Sequence, residues 1–377
     1  MADLSLPQAV TLPNYFSQGD LALPAQILDS EDVPSALSAA LNSTLHRERW
    51  KYSKTAPVLE GLASAMNLPT IVGGEQAGVL ISHAPQQNLS FGFDLSQAPE
   101  AFARLCYAQE AVFIHIDKAL DAPLEIHHAD STVPVLLSLG ANAEATLLEN
   151  FTGNLQPQNT LWISLAEGSH LKHSRNSLEA AHLHWQYLAV DIGKNADYLL
   201  NNHAAGAGLR RQDIHIRVSG QGANAELISA AMISGKLALD QQVTLEHLVA
   251  NGKSKQVVHN IVADGGKCTF NGRIHIHEGA NGTDATLANK NLGLGKNATI
   301  NTKPELEIYT DDVTCAHGAT IGQLSDQELF YLTSRGISPE SAQALLSEGF
   351  LRQCTQGPLA EAALPILINA IKQEQGA

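Results

Sequence analysis

The chain has 377 residues, 44% hydrophobic and 16% charged, which describes a globular protein with a sizeable core rather than a disordered one. Lys and Arg total 23 against 38 Asp and Glu, a formal charge of −15, and a nucleic-acid binder is excluded for want of concentrated positive charge. No apolar run approaches the roughly 20 residues of a membrane helix, the opening MADLSLPQAV has no basic segment before an apolar one, and Cys106, Cys268, Cys315 and Cys354 have neither zinc-site nor disulfide-framework spacing, so a cytoplasmic protein with reduced thiols is expected.

Residues 1–110 read as a mixed N-terminal region, helical at its start. Ser30, Glu31 and Pro34 suit a helix start, followed by Leu37, Leu41 and Leu45 on one side and a charged group from His46 to Lys51. Loop-like segments follow, such as Gly73-Gly74-Glu75 and Pro85-Gln86-Gln87.

Residues 111–322 change character. Val112, Ile114 and Ile116 alternate with polar or aromatic neighbours, and so do Ile214, Ile216 and Val218; Val243 and Leu245; Ile274 and Ile276; Leu306 and Ile308. Alternation with period two gives strands with one apolar face. Glycines fall at intervals, often after Asn (Asn251-Gly252, Asn271-Gly272, Asn281-Gly282), a pairing that supplies the positive φ of tight turns. Many short strands with small corners indicate a sandwich, a barrel or a β-solenoid. Corner runs of Ala, Thr, Asn and Gly favour the solenoid, because small residues let coils stack at strand spacing; no strict period is visible.

Residues 323–377 read as helical. Ser325-Asp326-Gln327-Glu328 is a capping box, with Leu329 and Leu332 before a stop at Gly336. Ser338-Pro339-Glu340 starts a second helix with Ala342, Leu345 and Leu346 on its apolar side, and Pro358 a third carrying Ala362, Ala363, Ile366, Leu367, Ala370 and Ile371.

Motifs exclude several chemistries. There is no GxxxxGK[ST] phosphate loop and no GxSxG nucleophile turn, and Gly220-Gln221-Gly222 and Gly293-Leu294-Gly295 read as turns. A polyanionic polysaccharide is a poor substrate for so acidic a chain. His182-x-His184, His275-x-His277 and Cys315-x-His317 each place two donors on one strand face. The first two pairs read as solvated outer-face residues, with a metal-dependent enzyme as the alternative. Cys315 and His317 differ: they follow Asp311-Asp312, precede Gly318, and fall where a last coil leaves an edge. A thiolate beside an imidazole is a competent donor pair for iron or sulfur.

Ordered blocks then carry a resemblance. They are Glu48-Arg49-Trp50-Lys51-Tyr52, Asn201-Asn202-His203-Ala204, Gly235-Lys236, Asn251-Gly252-Lys253-Ser254, Gly272-Arg273-Ile274, Asn289-Lys290-Asn291-Leu292, Lys303-Pro304-Glu305-Leu306-Glu307-Ile308, Asp311-Asp312-Val313-Thr314-Cys315-Ala316-His317-Gly318-Ala319-Thr320, Ser334-Arg335-Gly336-Ile337 and Leu345-Leu346-Ser347-Glu348-Gly349-Phe350. Over most of residues 46–355 the chain resembles the SufB/SufD family of iron–sulfur cluster assembly scaffolds, and it is most similar to the SufD side, which lacks the additional cysteines of SufB. The resemblance implies a right-handed parallel β-helix with helical ends, no catalytic residues, and a complex with SufB and the ATPase SufC, with a homodimer as the isolated form. It implies that Cys315 and His317 face a nascent cluster or iron shared with SufB, that no cofactor is stably held by this chain alone, and that ATP is bound by SufC only. It further implies that the C-terminal helices, with Leu329, Leu332, Leu345, Leu346 and Phe350, contact SufC. Ala316 stands where serine is common, and it removes no ligand.

Overall fold

Alternating segments pair not with their neighbours in sequence but with the strand two elements away. That is the signature of a chain winding around a core with two strands per coil. The computed structural model describes residues 39–51, 67–83, 98–101, 104, 108, 111–152, 158–178, 183–206, 208–235, 237–355 and 363–369. Within them, strands β1 (Thr70–Val72), β2 (Val79–Ser82) and β3 (Val112–Ile116) to β18 (Val313–Gly322) form two nine-stranded sheets. One sheet, A, runs β1, β4 (Leu124–Ala129), β6 (Glu144–Thr152) and on through the even-numbered strands to β18, and the other, B, runs β2, β3, β5 (Val135–Leu139) and on through the odd-numbered strands to β17 (Thr299–Ile308). Every pair from β3 onward is parallel, so the fold is a parallel β-solenoid and not a jelly roll, whose strands would be antiparallel.

The coil lengthens along the chain. Leu124 pairs with Leu147, Asp197 with Asn224 and Lys253 with Asp284, steps of 23, 27 and 31 residues. Inward-facing Val, Ile and Leu from both sheets form one continuous core, from Ile114 and Leu124 through Leu188 and Leu227 to Ile274 and Leu287. Beside it runs a fully buried polar seam. Gln212 donates to Gln186 Oε1 at 2.9 Å, Gln241 to Gln212 Oε1 at 3.1 Å, and Asn202 to Gln212 Oε1 at 2.9 Å. Near the N-terminal end Glu149 is sealed among His128, His173 and Arg175. Burial alone would raise the Glu149 carboxyl; Arg175 and hydrogen bonds from the two imidazoles outweigh it and hold the group well below its usual range.

One corner of the solenoid is built by alternation between Asn and Gly. Asn142, Gly168, Asn195, Gly222, Asn251 and Gly282 all have positive φ. The backbone N–H of Asn142 donates to Glu167 O, that of Gly168 to Lys194 O and that of Asn195 to Gln221 O, so these corners stack coil on coil. Not every Asn-Gly pair is a corner, however. Gly272, expected in a turn, lies inside β15 (Lys267–Ile276), where a Cβ would sit 2.8 Å from the Phe270 ring and 2.4 Å from Leu287 Cδ1. Its missing side chain makes room for the phenyl group.

The two ends differ. β1 and β2 pair antiparallel with β4 (Leu124–Ala129) and β3 and stop the stack with edges of three and four residues. Sequence patterning did not reveal these strands within the mixed N-terminal region. At the other end lie β17 (Thr299–Ile308) and β18, ten residues each and last in their sheets.

Helices dress the solenoid. α1 (Thr44–Arg49) is capped by Ser43, which accepts from His46 N at 3.1 Å. The helix start expected at Ser30 and Pro34 lies outside the described residues. The Arg-Trp-Lys block following α1 docks on sheet B. The Arg211 guanidinium lies 4.0 Å over the Trp50 ring, donates to Arg49 O at 2.9 Å, and is paired with Asp213 and Asp240 at 2.8 Å each. At the C-terminus, α2 (Asp326–Ser334) is capped by Ser325, and α3 (Pro339–Arg352) by Ser338 with Pro339 in its first turn. The residues that seat α3 are Ala342, Ser347 and Leu351, whereas Leu345, on the side read as apolar, is 57% exposed. Residues 363–369 are helical; Leu364 and Leu367 are buried with Leu351, Cys354, Met232 and Ile261, whereas Ile366 faces out. The start expected at Pro358 lies outside the described residues.

Candidate functional site

The terminal coil is where the sequence placed its donor pair. Cys315 pairs with Ala285 and His317 with Leu287, both buried core residues of β16 (Thr283–Leu294). Paired residues of parallel strands point to one face, so both donors stand on the core-facing side of β18, with no further coil over them among the described residues. Cys315 is half-buried against the core and His317 is exposed. Burial pushes the Cys315 thiol up, reinforced by the Asp284 carboxylate and opposed by a hydrogen bond from the Ala285 backbone. Ile308 at the end of β17, Tyr309 just after it and Ile321 on β18 add exposed apolar surface.

The remaining cysteines among the described residues are inert by comparison. Burial pushes the Cys268 and Cys354 thiols up to about 12. Cys106 lies outside the described residues.

The two His-x-His pairs part company. His182 lies outside the described residues, and His184 faces the solenoid interior, where its Nε2 meets Asn159 Oδ1 at 2.7 Å. Burial, with Arg210 nearby, holds the His184 imidazole well below its usual range and hence neutral. His275 and His277 do share an outer face, as their spacing requires, but they are not simply solvated. Their rings stack at 3.9 Å and converge on Glu246 of β13 (Leu237–His247). Glu246 Oε2 accepts from His215 Nε2 at 3.0 Å. Burial raises the Glu246 carboxyl, and His215, His277 and His275 together pull it down to about 2. Neither Glu246 nor His215 was singled out from the sequence. Glu246 lies opposite His275 only because one coil separates them.

Of the C-terminal residues expected at a partner surface, Leu329, Leu332 and Leu346 are half-buried and Leu345 is exposed. Phe350 is already occupied: it stacks on His259 at 4.6 Å, and its carbonyl accepts from His259 Nδ1 at 2.9 Å. Phe330 and Tyr331, not singled out from the sequence, are 72% and 58% exposed. Among the described residues no helix is long and apolar enough to cross a membrane.

The class this defines is a parallel β-solenoid blunted at one end and open at the other, with sulfur and nitrogen donors on the open coil. Residues 127–350 match the SUF system FeS cluster assembly SufBD core domain, and the chain belongs to the SufBD family. It is 33% identical over 226 residues to the iron–sulfur cluster assembly protein SufD of Escherichia coli K12, an alignment covering 58% of this chain and 53% of that protein. An iron–sulfur cluster assembly SufBD family protein of Synechocystis is 27% identical over 314 residues, covering 77% and 69%. SufB of Bacillus subtilis is 26% identical over 340 residues, covering 89% and 66%. The chain thus spans about half the length of the Escherichia coli relative.

Proposed function

We propose that this chain is a non-catalytic cytoplasmic scaffold subunit of iron–sulfur cluster assembly that pairs with SufB through its last coil and offers Cys315 and His317 to the nascent cluster. The observation that carries the reading is the open end: two ten-residue edge strands side by side, with a thiol and an imidazole on one face of β18. Unpaired strand edges are satisfied by strand addition from another chain, and a sister solenoid brings edges of matching length. Two donors do not complete the coordination of iron in a cluster, which takes four protein ligands in common cases, so the partner supplies the rest. Soft thiolate and borderline imidazole suit iron. Because burial keeps Cys315 protonated at neutral pH in the separate chain, cluster binding releases its proton. In isolation the same edges favour a homodimer.

ATP is handled by the SufC partner, docked on the C-terminal helices. Leu345, Phe330 and Tyr331 are the exposed apolar residues available to it. Phe350, held against His259, contributes by seating α3 rather than by touching the partner.

Co-expression with SufB and SufC, followed by gel filtration, tests the reading. One stable complex containing all three chains is expected. A chain that elutes alone in the presence of both partners overturns it.

A further inference from the structure

We propose that the outer face of sheet B is a binding site for one divalent first-row transition cation, held by Glu246, His275 and His277. Three donors from two adjacent coils lie within 4.8 Å of one another. His275 Nδ1 is 3.5 Å and His277 Nε2 3.7 Å from Glu246 Oε1. These separations exceed the roughly 2.7–3.2 Å of a hydrogen bond. They fall near the edge of about 3.4 Å that a tetrahedron has when its metal–ligand bonds are about 2.1 Å. The donors are therefore spaced to share a central ion rather than to satisfy each other.

A second observation is independent of that spacing. The His277 Nε2 atom is buried and has no hydrogen-bond partner among the described residues. A buried polar atom left unpaired costs about 1–3 kcal/mol, and an ion bonded to it removes the deficit.

The surroundings orient the donors. His215 Nε2 donates to Glu246 Oε2 at 3.0 Å, which leaves Oε1 turned to the two imidazoles; such outer partners commonly fix ligating carboxylates. Two arginines approach, and each has another carboxylate. Arg273 is forked on Glu307 at 3.0 and 2.6 Å, and Arg217 is shared between Glu246 Oε2 at 3.9 Å and Asp191 at 4.0 Å. Asp191, Glu246 and Glu307 against Arg217 and Arg273 leave one negative charge in excess for the cation. The Arg273 guanidinium also donates to His275 Nδ1 at 3.4 Å, so that nitrogen carries its lone pair rather than a proton, and a metal takes the place of this long contact. Two nitrogens and one carboxylate oxygen select zinc or ferrous iron over magnesium and calcium, which favour all-oxygen sets, and over cuprous copper, which favours sulfur. Three protein donors leave at least one position open.

The site is separate from the donors on β18, and the test keeps them apart. The full chain carrying Cys315→Ser and His317→Ala, without a histidine tag, is titrated with Co²⁺ and read by visible absorption and equilibrium dialysis. One Co²⁺ per chain is expected, with ligand-field bands, no sulfur charge-transfer band, and displacement by Zn²⁺. Adding His275→Gln with His277→Gln abolishes that binding, and His215→Gln weakens it by about 10–100-fold. Glu246→Gln, which keeps shape and hydrogen bonding, weakens it at least tenfold, with circular dichroism checking the fold. Undiminished Co²⁺ binding in the His275/His277 variant, or no saturable binding in the parent, overturns the proposal.

Discussion

A Cβ built on Gly168 would lie 2.5 Å from Oδ1 of Asn142, the left-handed residue one coil away in the same corner. The contact repeats between Gly222 and Asn195 at 2.5 Å and between Gly282 and Asn251 at 2.4 Å. Each glycine thus answers two demands, a positive φ and the space filled by the neighbouring amide. Gly279 has the first demand only: its φ is 83° and nothing lies within 4 Å of a Cβ there. Gly279→Ala should therefore cost about 1 kcal/mol and Gly168→Ala distinctly more. Removing the amide with Asn142→Gly should recover part of the Gly168→Ala loss in a double-mutant cycle. Equal unfolding free energies for Gly168→Ala and Gly279→Ala would show that the corner has slack.

This corner also explains what could and could not be read in advance. Alternation at Ile214–Val218 or Ile274–Ile276 needs only local sequence, so the strands and the solenoid class were legible. The repeat was not, because the coil grows from 23 to 31 residues and no fixed period survives. A usable signal was present in the corners themselves: Gly140-Ala141-Asn142-Ala143, Ala166-Glu167-Gly168-Ser169, Gly193-Lys194-Asn195-Ala196 and Gly220-Gln221-Gly222-Ala223. Each places Asn or Gly before a small residue. Likewise the pairing of Glu246 with His275 depends on coil length, which local spacing does not carry. Which apolar residues of the C-terminal helices seat on the solenoid and which, like Leu345 and Ile366, face out was not legible, because a helix with apolar residues on more than one side does not announce which side docks.

Arg211 ties the Trp50 block to the solenoid. It is buried with two carboxylates, Asp213 and Asp240, and Asp213 also accepts from Trp185 Nε1 at 3.0 Å. Arg211→Ala leaves Asp240 without its buried countercharge and Asp213 with only Arg49, at 3.1 Å, and should cost about 3–5 kcal/mol. Trp50→Ala should cost less and release α1, seen as faster proteolysis near residue 50. Unchanged stability in Arg211→Ala would mean that the carboxylates find water or protons without strain.

His203 gives the fold an acid sensitivity. It is buried, its Nδ1 donates to Asn176 Oδ1 at 3.0 Å, and burial lowers its pKa to about 4 from an ordinary 6.5. Below pH 6.5 the unfolded chain takes up a proton that the folded chain refuses. This contribution is therefore complete above pH 6.5 and is lost as pH falls toward 4, by on the order of 3 kcal/mol. His203→Asn keeps an N–H donor without titrating. The stability difference between wild type and His203→Asn should narrow between pH 7 and pH 4. A constant difference across that range would remove His203 as the cause.

Leu345 and Leu351 lie on one helix and should separate docking from folding. Leu351 is fully buried against Met232 and Ile261, while Leu345 is exposed. Leu351→Asp buries a charge in an apolar cluster and should undock the tail, visible in limited proteolysis. Leu345→Asp should leave stability within about 0.5 kcal/mol of wild type and weaken SufC binding. Full SufC affinity in Leu345→Asp would move the partner surface away from α3.

The last coil is tested by changing donors without changing edges. His317 is exposed on β18, so His317→Ala removes the proposed donor and almost no packing. Cys315→Ser keeps the shape, exchanges a soft donor for a hard one, and costs at most about 1–2 kcal/mol at a half-buried position. Both variants should melt as wild type does within a few degrees and elute with SufB and SufC as the same complex, because strand pairing uses backbone groups that neither substitution touches. Cluster yield on that complex should fall at least tenfold in His317→Ala, and a double variant should fall no further if the two donors serve one cluster. An intact complex with undiminished yield would leave the edges as an assembly surface and take the chemistry away from Cys315 and His317. A lost complex with normal melting would instead assign them to contact with the partner.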